Sequence, residues 1–201
     1  MFGLTKSSCG FLVLLGIAGC GGGPRLTPLD SDATILCFGD SLTSGVGAGQ
    51  DESYPAVLAK ELNCHVVNAG VPGEISSEGV ARLPRVLRQH RPDLVILCHG
   101  GNDLLQKLPE EQIAAHLRIM IEQAQAQGAE VILLAVPKPG LFLKPPAFYS
   151  EVATACQIPL EGKALSAILQ RRALKSDMIH PNAAGYRRLA ERVAALIRSK
   201  S

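Results

Sequence analysis

Tryptophan is absent from the 201-residue chain, and only three tyrosines and five phenylalanines are present. Because sugar rings usually stack on aromatic side chains, this composition offers few binding platforms for a carbohydrate. An excess of one charge is also missing, since 20 Lys and Arg residues are scattered among 18 Asp and Glu residues, for a net charge of +2. Nucleic-acid surfaces need clustered basic residues, so no nucleic-acid partner is expected.

No apolar stretch reaches the roughly 20 residues that a membrane-spanning helix needs. The stretch at residues 10–19 follows Lys6 and is typical of a secretory signal peptide. It runs into IAGC at 17–20, which resembles the lipobox of bacterial lipoproteins, where the cysteine is acylated. We therefore expect a signal peptide at 1–19, a lipidated Cys20 with a flexible tether to residue 32, and an exported, membrane-anchored protein facing the periplasm or cell envelope. An ordinary signal peptide with a chance cysteine is the alternative.

Metal-binding cysteine spacings are missing as well. Four cysteines fall in the predicted domain at 33–201, namely Cys37, Cys64, Cys98 and Cys156. Export permits disulfides, but Cys37 and Cys98 lie in apolar runs where a small buried thiol is the simpler interpretation. No spacing resembles a zinc site, so no metal is expected.

Short apolar runs alternate with longer amphipathic segments from residue 33 onward. The continuously apolar runs predict buried parallel strands at 34–38, 65–68, 94–98 and 131–136, with a further strand at 157–160. The amphipathic segments predict helices at 55–62, 76–90, 109–127 and 181–198. Pro84 weakens the middle of the second helix. The alternation indicates a mostly parallel sheet of about five strands with helices on both faces, a three-layer α/β/α sandwich.

Residues of catalytic type follow the predicted strands. Ser41 stands in GDSL directly after the first strand, where a glycine gives the backbone room to turn. Near the C-terminus, Asp177 precedes His180 by three residues, ahead of the last helix. One loop can then bring the carboxylate to the imidazole, which leaves the other ring nitrogen to accept the serine proton. A plain turn at Ser41, and a capping Asp with a surface His, are the alternatives for each motif alone.

Two further loops offer hydrogen-bond donors. Gly73 follows the second strand and presents a backbone N–H without a side chain, while Asn102 follows the third strand and presents an amide. A tetrahedral intermediate needs donors that already point at its oxyanion. Ordinary turn chemistry is the alternative for both residues.

Taken together, these blocks resemble the SGNH (GDSL) hydrolases, and most of all their bacterial periplasmic thioesterase, lysophospholipase and arylesterase branch. The resemblance runs from about residue 35 to the C-terminus and rests on FGDSLTS at 38–44, NAGVPGEISSEG at 68–79, ARLP at 81–84, RPDLVIL at 91–97, GGND at 100–103 and IHPNAAG at 179–185.

The resemblance implies a flavodoxin-like SGNH fold and assigns roles to the matched residues. It makes Ser41 the nucleophile, His180 the general base and Asp177 the residue that orients His180. It implies an oxyanion hole formed by the N–H of Ser41, the N–H of Gly73 and the amide of Asn102. The family needs neither a metal nor an organic cofactor, so no cofactor is expected.

Three features depart from the family pattern. His99 stands where a residue other than histidine is usual in this branch, and we interpret it as a hydrogen-bonded structural histidine, with a role in tuning the site as the alternative. Glu74 stands where an aspartate is common. The segment at 137–150 (PKPGLFLKPPAFYS) also differs, and its apolar side chains could wall an acyl pocket, with core packing as the alternative. The predicted pocket residues are Leu141, Phe142, Leu143 and Phe148.

The expected function is hydrolysis of a small-molecule acyl ester or thioester, with lysophospholipids among the accessible substrates of a membrane-tethered enzyme. A carbohydrate O-acetylesterase of the same fold is one alternative. A non-catalytic envelope lipoprotein is the other, because a fold alone does not specify a function. The sequence gives no indication of the oligomeric state.

Overall fold

The computed structural model describes residues 24–30, 32–140 and 142–200. The predicted signal peptide, Cys20 and Leu141 lie outside the described residues. One sheet contains the five strands β1 Thr34–Gly39, β2 His65–Gly70, β3 Leu94–Cys98, β4 Glu130–Leu134 and β5 Leu160–Glu161. Their order is β2-β1-β3-β4-β5, and each neighbouring pair is parallel.

Helices cover both faces of this sheet. In chain order they are α1 Ser41–Ser44, α2 Tyr54–Leu62, α3 Ser76–His90, α4 Gly101–Leu105, α5 Glu110–Gln125, α6 Phe148–Ala155, α7 Ala164–Leu169 and α8 Ala183–Lys200. Helices α2 and α8 pack together on one face, and α3, α5 and α6 pack together on the other. The predicted three-layer sandwich with a parallel sheet is confirmed.

Helix α3 passes through Pro84 without a break. Proline has no N–H, so the carbonyl four residues earlier, that of Val80, loses its helical partner. The side-chain amide of Gln123 on α5 donates to this carbonyl at 3.4 Å. The neighbouring helix therefore replaces the hydrogen bond that proline removes.

The core follows from the apolar strands. Strand β3 is buried along its whole length, as is β1 after its first residue. The chain turns from β1 outward to β2, and later returns to place β3 on the other side of β1. At such a switch point the carboxyl ends of the strands leave a crevice, where ligands bind in open parallel sheets.

The chain before β1 lies against the domain. Leu26 is buried, and both the N–H and the hydroxyl of Thr27 donate to the carboxylate of Glu130 at 3.0 and 3.1 Å. The described part of the predicted tether, residues 24–30 and 32, therefore contacts the domain through Leu26 and Thr27, while 20–23 and 31 lie outside the described residues. Within the described ranges, no helix is both long enough and apolar enough to cross a bilayer.

Candidate active site

Strand β1 brings Ser41 to the carboxyl edge of the sheet. Gly39 ends this strand so close to β3 that a Cβ atom would lie 2.0 Å from the carbonyl oxygen of Cys98, which only glycine avoids. The carboxylate of Asp40 accepts the N–H of Leu42 at 3.0 Å and so caps helix α1. Ser41 is therefore fixed as the first residue of a short, capped helix.

Ser41, His180 and Asp177 form one hydrogen-bonded chain. The serine Oγ lies 2.9 Å from Nε2 of His180, and Nδ1 of the same ring lies 2.7 Å from Oδ2 of Asp177. An ionised carboxylate only accepts, so Nδ1 carries the hydrogen and Nε2 of the neutral ring faces the serine hydroxyl as an acceptor. The three side chains that the sequence singled out therefore meet in the order that proton transfer requires.

The loop before α8 also fixes Asp177. Its Oδ1 accepts the N–H groups of Ile179 and His180, both at 2.8 Å. Burial would raise the pKa of the Asp177 carboxyl, but the bonds from the His180 ring and from these two N–H groups outweigh it. The pKa therefore lies below its ordinary value. The carboxylate stays ionised and keeps its orientation toward the ring.

The loops after β2 and β3 reach the same place. Gly73 has a φ of +84° in the turn that the bond from the Glu74 N–H to the Val71 carbonyl closes at 3.2 Å. This left-handed conformation favours glycine. The Asn102 side-chain nitrogen donates to the Glu74 carbonyl at 2.9 Å and lies 3.3 Å from Oδ2 of Asp40. The amide is therefore anchored to the Gly73 loop.

A cavity of about 240 Å³ opens beside these groups. Ser41, Gly73, Asn102 and His180 all border it. The remainder of the wall is largely apolar and comes from widely separated segments, with Leu42, Val46, Leu105, Val136, Leu143, Leu169, Met178 and Ile179 among its residues. The arrangement therefore places a hydroxyl, an imidazole and several donors at the edge of a space suited to an apolar group.

Residues 37–188 match the GDSL-like lipase/acylhydrolase family. The chain belongs to this family. Esterase TesA of Pseudomonas aeruginosa is 35% identical over 128 residues, which cover 61% of this chain and 64% of the esterase, slightly under two thirds of its length. Thioesterase 1/protease 1/lysophospholipase L1 of Escherichia coli is 32% identical over 157 residues, covering 74% of this chain and 76% of that protein.

The fold agrees with solved structures of the same family. The crystal structure of TesA has a TM-score of 0.76 and 30% identity, with 84% of this chain and 99% of that chain covered. The resemblance to the SGNH (GDSL) hydrolases is thus confirmed at the level of family and fold.

A buried ionic cluster supports the Gly73 loop of this GDSL-family chain. Glu74 is 5% exposed, and its carboxylate receives two bonds from the Arg82 guanidinium, at 2.5 and 2.6 Å. The guanidinium lies 4.0 Å from the centre of the Phe38 ring and also donates to the Ala69 carbonyl at 3.1 Å. Burial would raise the pKa of the Glu74 carboxyl, but Arg82 and His99 outweigh it and lower the pKa.

His99 is the third member of this cluster and is fully buried. Its Nδ1 accepts the N–H of Gly100 at 3.1 Å, so Nε2 carries the hydrogen and donates to Oε2 of Glu74 at 3.1 Å. Its backbone carbonyl accepts the hydroxyl of Tyr149 at 2.8 Å. His99 therefore contacts the support of the Gly73 loop and does not border the cavity.

The residues predicted to wall an acyl pocket are separated in the structure. Leu143 borders the cavity, whereas Phe142 is 75% exposed. Phe148 does not border it, because it begins α6 and packs in the core with its ring stacked on Tyr149. Leu141 lies outside the described residues. Core packing, the alternative for this segment, therefore applies to Phe148.

The four cysteines of the domain are free thiols. Cys37 and Cys98 are buried, and burial raises the pKa of both thiols. Neither is therefore a reactive thiolate near neutral pH. In the part of the chain that the structure describes, no group of three or more His, Cys, Asp and Glu side chains is arranged to hold a metal ion.

Sequence reasoning missed the Arg82 partner of Glu74 and most of the cavity wall. Val46, Leu105, Leu169 and Met178 gave no signal of their own, because single apolar residues in loops and short helices are common everywhere.

Proposed function

We propose that this protein is a serine hydrolase that cleaves carboxylic ester or thioester bonds of acyl substrates through an acyl-enzyme on Ser41. The observation that carries the proposal is the continuous chain of short contacts from Asp177 through His180 to Ser41 at the edge of an apolar cavity. Family membership supports the reaction class, because the relatives compared above are named an esterase and a thioesterase/lysophospholipase.

The reaction follows from the order of the three side chains. Ser41 Oγ attacks the acyl carbon while Nε2 of His180 takes its proton. The resulting imidazolium is stabilised by Asp177 and returns the proton to the leaving alcohol or thiol. A water molecule then attacks the acyl-enzyme by the same route and releases the carboxylic acid. Asp177 orients the ring throughout and keeps its charge.

The N–H of Ser41, the N–H of Gly73 and the side-chain amide of Asn102 would hold the oxyanion. All three residues border the cavity, which supports this role. The Asn102 nitrogen carries two hydrogens, and its 2.9 Å bond to the Glu74 carbonyl fixes the amide plane. Its 3.3 Å contact with Asp40 is longer and weaker, so this second hydrogen is the one available to the oxyanion.

The apolar wall favours an acyl chain over a sugar. At about 240 Å³, the cavity is smaller than the roughly 300–1,000 Å³ of typical small-molecule sites. A short acyl chain would fit inside, and a longer one would extend over the exposed side chains of Leu105 and Met178. Lysophospholipids and acyl thioesters are compatible with this shape.

The test is hydrolysis of p-nitrophenyl esters from acetyl to palmitoyl by the wild type, Ser41→Ala and a matched control, Ser44→Ala. Ser44 lies in the same short helix. Its hydroxyl donates to the backbone carbonyl of Ser41 at 3.1 Å and not to the Ser41 side chain, so loss of this hydroxyl should leave turnover within a few-fold. Ser41→Ala should lose at least about 10⁴-fold, and a fluorophosphonate should label only proteins that retain Ser41.

Each other outcome points to a different function. Activity confined to the acetyl ester would indicate a deacetylase. A folded wild type with neither activity nor labelling would favour a non-catalytic envelope lipoprotein. Equal activity in Ser41→Ala and wild type would contradict the assigned nucleophile.

We also propose that the protein is exported and carries a lipid on Cys20. The support is the IAGC sequence after an apolar stretch of signal-peptide length. Growth with an alkyne fatty acid should label the wild type and not Cys20→Ala. Equal labelling of both proteins would place the lipid elsewhere, and labelling of neither would leave an ordinary signal peptide.

A further inference from the structure

Exposed apolar side chains collect around the mouth of the cavity. Among the described residues, six large apolar side chains are exposed, and only Ile119 is remote from this mouth. Val46, Leu105 and Met178 border the cavity themselves. The other two adjoin bordering residues, since Val71 precedes Pro72 and Phe142 precedes Leu143. Such clustering marks an interaction surface, whereas scattered exposed apolar residues need no explanation.

Phe142 and Met178 stand out most strongly from this rim. They are 75% and 81% exposed and belong to different segments, the loop after β4 and the loop that carries His180. A side chain that served only as a pocket wall would be covered on at least one side. These two are instead mostly exposed, Met178 at the cavity edge itself and Phe142 next to the bordering Leu143.

The unpaired charge at the rim is positive. Lys107, Lys144 and Arg171 each lie within two residues of a bordering residue, and none forms an ion pair with any described residue. The acidic residues equally close in sequence are buried or already bound: Asp40, Asp103 and Glu74 are buried, and Asp177 is bonded to His180.

A second basic surface continues from Arg171. This residue lines a groove of about 940 Å³ between α7 and α8, together with Lys163, Arg187 and Arg188. Within the described part of the chain, none of the four forms an ion pair, and Glu191 is the one acidic residue of the groove wall. Positive charge therefore extends from the mouth along one side of the domain.

We propose that the rim of the cavity docks on an anionic phospholipid bilayer, with Phe142 and Met178 entering the boundary between headgroups and acyl chains while Lys107, Lys144 and Arg171 contact lipid phosphates. Projecting apolar side chains flanked by unpaired cations are the chemistry that an anionic membrane surface recognises. Docking in this orientation places the cavity mouth against the lipid, so that an acyl chain passes from the bilayer to Ser41 without crossing water.

The absence of tryptophan makes the surface measurable in the full-length chain. Phe142→Trp creates a single tryptophan on the rim, and Ile119→Trp creates a matched one at the remote exposed site on α5. Both are made in a Ser41→Ala background, so that turnover plays no part and the result is independent of the proposed function. Any attachment through the first residues of the chain affects the two proteins equally.

On vesicles containing phosphatidylglycerol, the emission of the Phe142→Trp protein should shift to the blue and be quenched by brominated acyl chains. The emission of the Ile119→Trp protein should change in neither respect. Equal behaviour of the two proteins, or no quenching of Phe142→Trp, would overturn the proposal. Equal quenching of Phe142→Trp on pure phosphatidylcholine would overturn the part assigned to the cations.

Charge variants test the cations directly. Lys107, Lys144 and Arg171 are replaced by glutamine in the Phe142→Trp protein, and quenching reports the ratio of rim-docked to undocked molecules. Each replacement should lower this ratio by roughly fivefold, and the three together by about a hundredfold. The matched control replaces Lys60, Arg85 and Arg88, which are exposed on α2 and α3 and do not border the cavity. A loss as large in the control as in the rim variant would show that only net charge matters and would refute the proposed surface.

Discussion

Replacement of Arg82 by alanine tests whether the buried ionic cluster stabilises the fold and the Gly73 loop. In the wild type the Arg82 guanidinium makes two short bonds to the Glu74 carboxylate, and the carboxylate is 5% exposed. After the replacement, the Glu74 carboxylate keeps one side-chain hydrogen bond, from the Nε2–H of His99 at 3.1 Å. The variant therefore leaves a largely uncompensated charge in the interior.

The magnitude follows from the burial of the two partners. Breaking a buried ion pair by removing one member costs about 3–5 kcal/mol, and loss of the contact with the Phe38 ring adds about 0.5–1 kcal/mol. The Arg82 side chain is 18% exposed, so some water reaches the cluster and the lower end applies. We expect the free energy of unfolding to fall by about 3.5 kcal/mol near neutral pH.

The loss should depend on pH with a definite sign. In the wild type the pKa of Glu74 is lowered, so its contribution is present above the unfolded-state pKa and is lost as pH falls through the folded-state value. In Arg82→Ala, burial acts with less opposition and raises the Glu74 pKa. The variant can then take up a proton on mild acidification, which removes the buried charge. The difference between the two proteins should therefore shrink between about pH 7 and pH 5.

Urea unfolding at both pH values measures this difference, and Arg85→Ala is the matched control. Arg85 lies on the same helix and is exposed, so its loss should change stability by no more than about 0.5 kcal/mol. An Arg82→Ala variant as stable as Arg85→Ala, or a deficit that is equal at the two pH values, would refute the assignment of the cluster as a stabilising charge pair.

Two further predictions concern the donors beside Ser41. Asn102→Ala should lower kcat for a p-nitrophenyl ester by about 10²–10³-fold with little change in KM, since the amide would act on the oxyanion and not on bound substrate. If the circular dichroism spectrum of the variant also shows a loss of secondary structure, the lower kcat reflects misfolding instead. Gly73→Ala should cost about 1–2 kcal/mol in urea unfolding, because φ is +84° while an added Cβ meets no atom within 4 Å, so a loss well above this range would mean that more than backbone strain is involved.

Much of the fold was predictable because its central strands β1, β3 and β4 are almost entirely buried, whereas β2, at the edge of the sheet, is only partly buried. The strand at 94–98 was predicted with its observed bounds, and the helix at 76–90 was also predicted in full. Pro84 argued against the middle of that helix, and the local sequence showed no sign of the hydrogen bond that compensates for it. That bond comes from Gln123 on α5, more than thirty residues away. The predicted strand at 157–160 is instead Leu160–Glu161, because Gln157 has a φ of +53° and the N–H of Ile158 still bonds back to the Ala153 carbonyl of the unpredicted helix α6.

The polar centre of the site was predictable for a related reason. Parallel strands end at one edge of the sheet, so polar residues that directly follow β1 and β3 must approach one another. His180 needed a separate signal, the spacing to Asp177, because it follows no strand. The Arg82 partner of Glu74 had no comparable signal, since a glutamate and an arginine eight residues apart form a pair only once a loop and a helix are placed.

The cavity wall shows why substrate preference is harder to read from the chain than reaction chemistry. The hydroxyl, imidazole and carboxylate are rare groups whose spacing carries information, whereas the wall uses the commonest residue types. Leu105 comes from α4, Leu143 from the loop after β4, Leu169 from α7 and Met178 from the loop before α8, so no local pattern links them. Each is ordinary alone, and only their convergence beside Ser41 creates an apolar space. For the proposed hydrolase, single substitutions in any of these segments should therefore change acyl preference with the catalytic motifs unaltered.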